Sequence, residues 1–244
     1  KGGDWFVDSA SWFAEATGIP KFVVGATVVS FATSLPELLV SVRAAMNGSA
    51  QLAIGNAVGS VTANTTLIMG VSLVAMAGAV GRKSFSLKGG LLLAAIVGLT
   101  VLSLGNSLPT WSAYILWAIF LVFMISNLVD GKKASESDEI DSYEKKQIPS
   151  KIFFFVVGTA SIVFGAEFLV SSGKTIASGI GISETIIGFT VIALGTSLPE
   201  LVTTLTAIRK KESSLSVGNI IGANIIDTTL ILPLCAVING TALP

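Results

Sequence analysis

The sequence predicts an all-α fold, a polytopic bundle of transmembrane helices with two inverted repeats, and three observations lead to this prediction. Of the 244 residues, 52% are hydrophobic and only 12% are charged, whereas a soluble domain carries roughly 25% charged residues. Apolar segments close to the ~20 residues that a spanning helix needs follow one another, with short polar breaks between them. One stretch of the chain also occurs twice.

The apolar pattern predicts eight helical elements, out of ten expected for a complete parent. They cover residues 4–17, which is short for a span, and then 21–46, 52–80, 87–104, 110–129, 152–172, 184–208 and 215–239. Residues 130–151 are charged and poor in apolar side chains, which predicts a solvated, mobile linker. The chain is therefore expected to divide into a first half at 1–129, this linker, and an incomplete second half at 152–244.

The duplicated stretch reads Thr-Ser-Leu-Pro-Glu, and it ends at Glu37 in the first copy and at Glu200 in the second. Adding 163 to a residue number relates two repeats, which we define as 25–71 and 188–234. Over their first 46 positions, 18 residues are identical without a gap. The same offset assigns several predicted helices a counterpart that would lie outside this sequence. We therefore expect a longer parent protein made of two halves with five spans each.

An odd number of spans separates the two copies, so they are predicted to face opposite ways across the bilayer. Sorting the basic residues by alternate polar breaks tests this orientation. Twelve share one side, namely Lys21, Arg82, Lys83, Lys88, Lys132, Lys133, Lys145, Lys146, Lys151, Arg209, Lys210 and Lys211, and the other three are Lys1, Arg43 and Lys174. Because cytoplasmic loops carry an excess of Lys and Arg, the side with twelve, including the loop at 130–151, is expected to be cytoplasmic.

Each repeat contains an apolar helix broken by proline, which is the pattern of a midplane binding site in secondary transporters. Pro36 and Pro199 lack the N–H that would bond the carbonyl four residues earlier, and freed backbone groups at membrane depth are tolerated where they line a cavity. The next residue is a glutamate in both copies, Glu37 or Glu200. Since a carboxylate at mid-bilayer costs about 2.5–3.5 kcal/mol on insertion scales, each is expected to bind a cation, a proton or a partner.

A second helix in each repeat adds further oxygen donors. Ser60 and Asn64 lie four residues apart and share one helix face, as do Ala223 and Asp227. If the helix pairs cross at the pseudo-twofold axis, two glutamates, an Asn and an Asp converge. Oxygen donors suit Ca²⁺ or Na⁺ better than soft transition metals, and two bidentate glutamates with two freed carbonyls would give the six oxygens that Ca²⁺ needs.

The two Thr-Ser-Leu-Pro-Glu stretches, each followed by a Gly-Asn-x-x-Gly helix, resemble the α-repeats of the sodium/calcium exchangers of the cation/calcium antiporter superfamily. The resemblance implies ten spans in two inverted halves, both termini outside, and exchange of Na⁺ for Ca²⁺ by alternating access. By position, it implies that Ca²⁺ is bound by Glu37 and Glu200 and by the carbonyls of Thr33 and Thr196. Asn64 and Asp227 would complete this central cluster. The implied flanking Na⁺ positions are Ser34, Ser60, Ser197 and the carbonyls of Ala193 and Ser30.

Three positions depart from related patterns. Ala223 stands where the second repeat of the family usually has Ser, which removes a hydroxyl from an expected Na⁺ site, and Val61 stands in the first repeat where an Asn would follow. Gly59 stands where the proton/calcium branch tends to carry an acid, which favours Na⁺ as the counter-ion. We therefore expect a secondary antiporter in which Ca²⁺ and Na⁺ compete for the midplane carboxylates. The alternatives are an H⁺/Ca²⁺ exchanger and, outside that class, a cation channel or a non-transporting membrane scaffold.

Composition argues against other classes of function. The formal net charge is zero and the isoelectric point is about 6.5, so nothing indicates a nucleic-acid partner, and the absence of histidine excludes histidine metal sites from this sequence. No catalytic triad, phosphate loop or metalloenzyme motif is present, so we expect neither an enzyme nor a cofactor besides the transported Ca²⁺ and Na⁺. Cys235 lies in an apolar run and is expected to be a small core residue. The expected setting is the lipid bilayer of the cell membrane, with a monomer as the simplest assembly.

Overall fold

A computed structural model describes residues 1–75, 82–105, 107–135, 146–181 and 193–240. These ranges contain helices and no strand, which confirms the all-α prediction. The helices are α1 (Gly2–Thr17), α2 (Lys21–Thr33), α3 (Leu35–Met46), α4 (Ala50–Ala75), α5 (Arg82–Leu102), α6 (Ser112–Ser135), α7 (Ile148–Gly179), α8 (Ala193–Thr196), α9 (Leu198–Lys210) and α10 (Ser213–Asn239).

Five of the described helices, α4, α5, α6, α7 and α10, are long and apolar enough to cross a membrane. The α2–α3 pair passes the same test as one bent unit and would be a sixth span. α1 is short, with 16 residues, as the first predicted element is. The predicted element at 184–208 corresponds to α8 and α9 over its described part, since residues 182–192 lie outside the described ranges.

The polar break predicted at 130–151 is helical at both ends, because α6 continues to Ser135 and α7 begins at Ile148. Lys132 and Lys133 occupy the last turn of α6, where the partial negative charge of the helix terminus favours cations. The proline in the first turn of α7 loses no hydrogen bond there. Residues 136–145 lie outside the described ranges, so the central part of the linker stays a prediction.

Both Thr-Ser-Leu-Pro-Glu stretches break their helices at the serine. Ser34 separates α2 from α3 with φ −81° and ψ 5°, and the two helices are bent by 47°. Ser197 separates α8 from α9 with nearly the same geometry, φ −81° and ψ 1°. In both cases the proline lies in the first turn of the new helix, where its fixed φ favours helix initiation. The prolines therefore start a second helix as well as ending the first.

Three of the long helices contain a π-helical turn, a feature that the sequence did not predict. The turns cover Gly25–Val29 in α2, Asn64–Ile68 in α4 and Asp227–Ile231 in α10. The last two are related by the 163-residue offset. Single π turns occur mostly at functional sites. The two offset-related turns begin at Asn64 and Asp227, which are two of the residues implied in the central cluster.

The second helix of each repeat packs against the broken helix of the other repeat, α10 on α2 and α4 on α8. In α10, 83% of the most apolar window is buried, against 11% in α5 and 17% in α7, so α10 runs through the centre of the bundle. Glycines permit this close crossing. The carbonyl of Leu215 occupies the space that a Cβ on Gly25 would fill, and the carbonyl of Phe22 does so for Gly218.

Polar contacts place the breaks with most basic residues at one end of the bundle. Lys21, the first residue of α2, forms ion pairs with Glu15 at 2.6 Å and with Glu212, just before α10, at 2.7 Å. Buried Lys88 near the start of α5 pairs with Asp130 in α6, which joins two further breaks. Polar breaks that were assigned to the same side of the bilayer by their basic residues are therefore neighbours in space.

We expect Gly218→Ala to lower the thermal stability of the detergent-solubilised protein, because the added methyl group would overlap the Phe22 carbonyl and push α10 from α2. Overpacking of this kind costs about 1–3 kcal/mol. Gly98→Ala in α5 is the matched control, since a Cβ there meets no described atom within 4 Å and alanine is the better helix former. A melting temperature for Gly218→Ala at or above the wild-type value would contradict the close crossing.

Candidate cation site

Glu37 and Glu200 lie in the first turns of α3 and α9, directly after the break in each broken helix. Both side chains are fully buried. The first turn of a helix has unbonded N–H groups and a partial positive charge, which is favourable for a nearby carboxylate. The same broken turn therefore brings each acid into the bundle and supports it electrostatically.

The carboxylates of Glu37, Glu200 and Asp227 lie close enough together to repel one another. They come from three helices, α3, α9 and α10, and from both halves of the chain. Ser34 Oγ donates a hydrogen bond to Glu200 Oε1 at 3.4 Å, which connects the first break to the second acid. The two repeats thus bring their acids to one region, as the pseudo-twofold argument predicts.

Two asparagines on the second helices bind the threonines at the breaks of the opposite repeat. Thr33 Oγ1 donates to Asn219 Oδ1 at 3.1 Å, and Thr196 Oγ1 donates to Asn56 Oδ1 at 3.1 Å. The two bonds are equivalent under the repeat offset. Each broken helix is therefore held in place by the other half of the chain.

The remaining predicted donors lie along the same crossings. Ser60 Oγ is 3.2 Å from Thr196 Oγ1, across the contact between α4 and α8. Ser30 is fully buried in α2, and Ser197 is buried at the break before α9 with no hydrogen-bond partner for its hydroxyl. Ala193 is the first residue of α8.

Several buried polar atoms of the three acids and of Asn64 have no hydrogen-bond partner. They are both carboxylate oxygens of Glu37 and of Asp227, Oε2 of Glu200, and both polar side-chain atoms of Asn64. None of the three acids forms an ion pair with a basic residue of the described ranges. Nor do these ranges contain three or more His, Cys, Asp and Glu side chains arranged as a metal-binding group, so the acids are neighbours but not a compact chelating cluster. Since buried polar groups are normally bonded, unpaired acceptor oxygens at this density are typical of a ligand site.

Sequence reasoning missed a set of buried polar side chains that bond between helices. Ser216 Oγ donates to Thr204 Oγ1 at 3.5 Å, a long bond, and Asn224 Nδ2 donates to Thr65 Oγ1 at 2.9 Å. Thr204 is the offset partner of Ser41, which is also fully buried. Comparing hydroxyl-bearing positions between the repeats, and not identities alone, would have found this pair.

Comparison with known proteins agrees with this arrangement. A family model described as sodium/calcium exchanger protein matches residues 1–129 and 150–244. The chain belongs to the sodium/calcium exchanger family.

Sodium/calcium exchanger MaX1 of Methanosarcina acetivorans is 33% identical, over 96% of this chain and 78% of its own length. Inner membrane protein YrbG of Escherichia coli is also 33% identical, over 96% of this chain and 75% of its own length. A solved structure of the sodium-calcium exchanger NCX_Mj, soaked with Na⁺ and Sr²⁺, matches with a TM-score of 0.88 and 30% identity, covering 100% of this chain and 79% of that one.

Family membership confirms the resemblance drawn from the two Thr-Ser-Leu-Pro-Glu stretches. It makes the chain a transmembrane antiporter that handles Ca²⁺ and places it among transporters. The channel and the scaffold are therefore set aside as alternatives. The match in fold over the whole chain also agrees with the inverted arrangement of its helices.

The two asparagines differ in how many bonds they make, and this difference can be tested. Besides accepting from Thr196, Asn56 donates through Nδ2 to Glu37 O at 3.3 Å and to Ser41 Oγ at 2.9 Å, whereas Asn219 Nδ2 has no partner. We expect Asn56→Ala to lose about 2–3 kcal/mol of stability at roughly 1 kcal/mol per bond, and Asn219→Ala about 1 kcal/mol. Equal shifts of the two melting temperatures would contradict this asymmetry.

Proposed function

We propose that the protein exchanges Ca²⁺ for Na⁺ across a membrane by alternating access, with the two ions competing for Glu37 and Glu200 in the middle of the bundle. One observation carries the proposal. Both glutamates are fully buried, and three of their four carboxylate oxygens have no hydrogen-bond partner. Leaving a charge buried and unpaired costs several kcal/mol, so a cation that binds both acids would remove a large penalty.

The donors around the acids favour hard cations. They are carboxylate, hydroxyl, amide and backbone carbonyl oxygens, which suit Ca²⁺ and Na⁺. In this proposal Ca²⁺ binds the two glutamates with the carbonyls of Thr33 and Thr196, Asn64 and Asp227 complete the cluster, and Na⁺ uses the flanking positions. These flanking positions are Ser34, Ser60, Ser197 and the carbonyls of Ala193 and Ser30.

The movement that we propose involves the first helix of each half, α1 and α7. These helices pack closely on each other: a Cβ on Gly158 would lie 2.7 Å from Phe6 N, and the rings of Phe6 and Phe155 are 4.8 Å apart. We propose that this pair slides against the other helices when the carboxylates are neutralised by a bound cation. A site without its ions would move unpaired charge past apolar helices, which blocks the movement and couples the two ion fluxes.

We further propose that the end of the bundle with Lys21, Lys88 and Lys151 faces the cytoplasm, and that the protein lies in the cell membrane. The positive-inside rule supports this orientation. The clustering of these breaks at one end is consistent with it, because Lys21 contacts Glu212 and Lys151 lies 5.6 Å from the Trp12 ring. The loop at 130–151 would then be cytoplasmic.

The counter-ion is tested by uptake of radiolabelled Ca²⁺ into vesicles that contain the protein. We expect uptake to be driven by an outward Na⁺ gradient, because Gly59 stands where the proton-coupled branch tends to carry an acid. An imposed proton gradient of the same size should drive little uptake. Uptake that follows the proton gradient alone would replace Na⁺ by H⁺ as the counter-ion and favour the H⁺/Ca²⁺ alternative.

The site is tested by Glu37→Gln and Glu200→Gln, each of which should abolish Ca²⁺ uptake because a neutral amide cannot balance the charge of the ion. Glu15→Gln is the matched control, since Glu15 is 63% exposed and its partner Lys21 keeps Glu212. The control should transport at close to the wild-type rate. If either buried variant transports normally while remaining correctly folded, these glutamates are not the ion site.

A further inference from the structure

The two crossings that join the repeats each contain one serine and one alanine at equivalent positions, but in exchanged places. The repeat offset relates Ser30 to Ala193 and Ser60 to Ala223. Where α8 meets α4, the broken helix carries Ala193 and the second helix carries Ser60. Where α2 meets α10, the broken helix carries Ser30 and the second helix carries Ala223. At this pair of positions each crossing therefore has one serine hydroxyl, on the second helix in the first case and on the broken helix in the other.

The Ser30 hydroxyl lies directly against α10. A Cβ on Gly222 would come within 2.5 Å of Ser30 Oγ, so the hydroxyl occupies the space beside the backbone that precedes Ala223. Ser30 and Ala223 are both fully buried. In the other crossing the Ser60 hydroxyl spans the same kind of contact from the opposite side, 3.2 Å from Thr196 Oγ1. One hydroxyl therefore lies at each crossing, that of Ser30 on the broken helix and that of Ser60 on the second helix.

The hydrogen bond that Ser30 Oγ makes leaves its lone pairs free to coordinate a cation. Its Oγ donates to Thr27 O at 3.0 Å, and a hydroxyl has a single proton and two lone pairs. Ser34 lies four residues further along and so on the same helix face. Ser34 Oγ reaches Glu200 Oε1 at 3.4 Å. The hydroxyls of Ser30 in α2 and of Ser34 at the break after it therefore follow one another toward the acid of the other half.

We propose that the Ser30 side-chain hydroxyl supplies the Na⁺ ligand that Ala223 lacks. This inference rests on the proposed Na⁺/Ca²⁺ exchange. Ser30 would then contribute two oxygens to the flanking site, its hydroxyl and the carbonyl already assigned to it. Gly222 is required for this arrangement, because any side chain there would fill the space of the hydroxyl.

A purely structural role for Ser30 makes a different prediction. Serines in helices often bond a carbonyl three or four residues earlier without any ligand. Ser112 is such a residue, since it is fully buried in α6 and its Oγ donates to Pro109 O at 2.5 Å. Ser112→Ala therefore controls for the loss of a buried local hydrogen bond at a place that holds none of the proposed ion ligands.

The experiment measures Ca²⁺ uptake into vesicles at a series of internal Na⁺ concentrations, and Ca²⁺/Ca²⁺ exchange without Na⁺ in the same preparations. We expect Ser30→Ala to raise the Na⁺ concentration for half-maximal uptake roughly tenfold, the effect of losing one interaction with a charged group. Ca²⁺/Ca²⁺ exchange should be unchanged. The double variant Ser30→Ala with Ala223→Ser should restore the Na⁺ dependence, because the hydroxyl returns on α10 as it does on α4 at Ser60. Ser112→Ala should leave both measurements unchanged.

Three outcomes in the variants would overturn the proposal. They are an unchanged Na⁺ dependence in Ser30→Ala, an equal loss of Na⁺-driven and Ca²⁺/Ca²⁺ exchange, and a double variant that stays as impaired as the single one. If Ser30→Ala transports too slowly to measure, the Na⁺-induced rise in melting temperature of the purified protein gives the same comparison. Failure of the proposed function is recognised separately, because the wild-type protein would then show no Na⁺ dependence at all, and this too overturns the inference.

Discussion

Three carboxylates with few hydrogen-bond partners lie where the two halves of an apolar bundle cross, and the arrangement of the surrounding helices follows from the need to accommodate them. Glu37 and Glu200 reach this region because each helix stops at a serine and restarts with a proline in its first turn. Asp227 reaches it from a π turn in α10. The central position of α10, the most buried of the spanning helices, follows from its contacts with both halves of the site.

The crossing of the repeats is also what makes the site dependent on both halves. Thr33 bonds to Asn219 and Thr196 bonds to Asn56, so neither broken helix is positioned by its own repeat alone. Glycine at the contact lets the backbones of α2 and α10 touch, which brings Thr33 close to Asn219 without long side chains. A change on one second helix therefore acts on the acid of the opposite half, through the break that it holds.

The symmetry is incomplete, and its exceptions lie at the site. Asn64 is replaced by Asp227, Ser60 by Ala223, and the three bonds of Asn56 by a single bond of Asn219. The serine hydroxyl is on Ser30 of the broken helix where α2 crosses α10, and on Ser60 of the second helix where α4 crosses α8.

The amino-acid sequence by itself determined the class of the protein and its inverted duplication, and it identified the acids on which the proposed site depends. Hydropathy specifies membrane helices, because a bilayer needs about 20 apolar residues per span. A carboxylate repeated at one position of two apolar segments indicates an ion site, because a charge at membrane depth is costly unless something binds it.

Only the tertiary structure decided how the parts meet. Local sequence does not reveal the π turns at Asn64 and Asp227. It also does not reveal that Asn56 and Asn219 bind threonines of the opposite repeat or that the Ser30 hydroxyl lies against Gly222. The asparagine–threonine bonds and the contact of Ser30 with Gly222 join residues more than 130 positions apart, so they arise only when the two halves pack against each other.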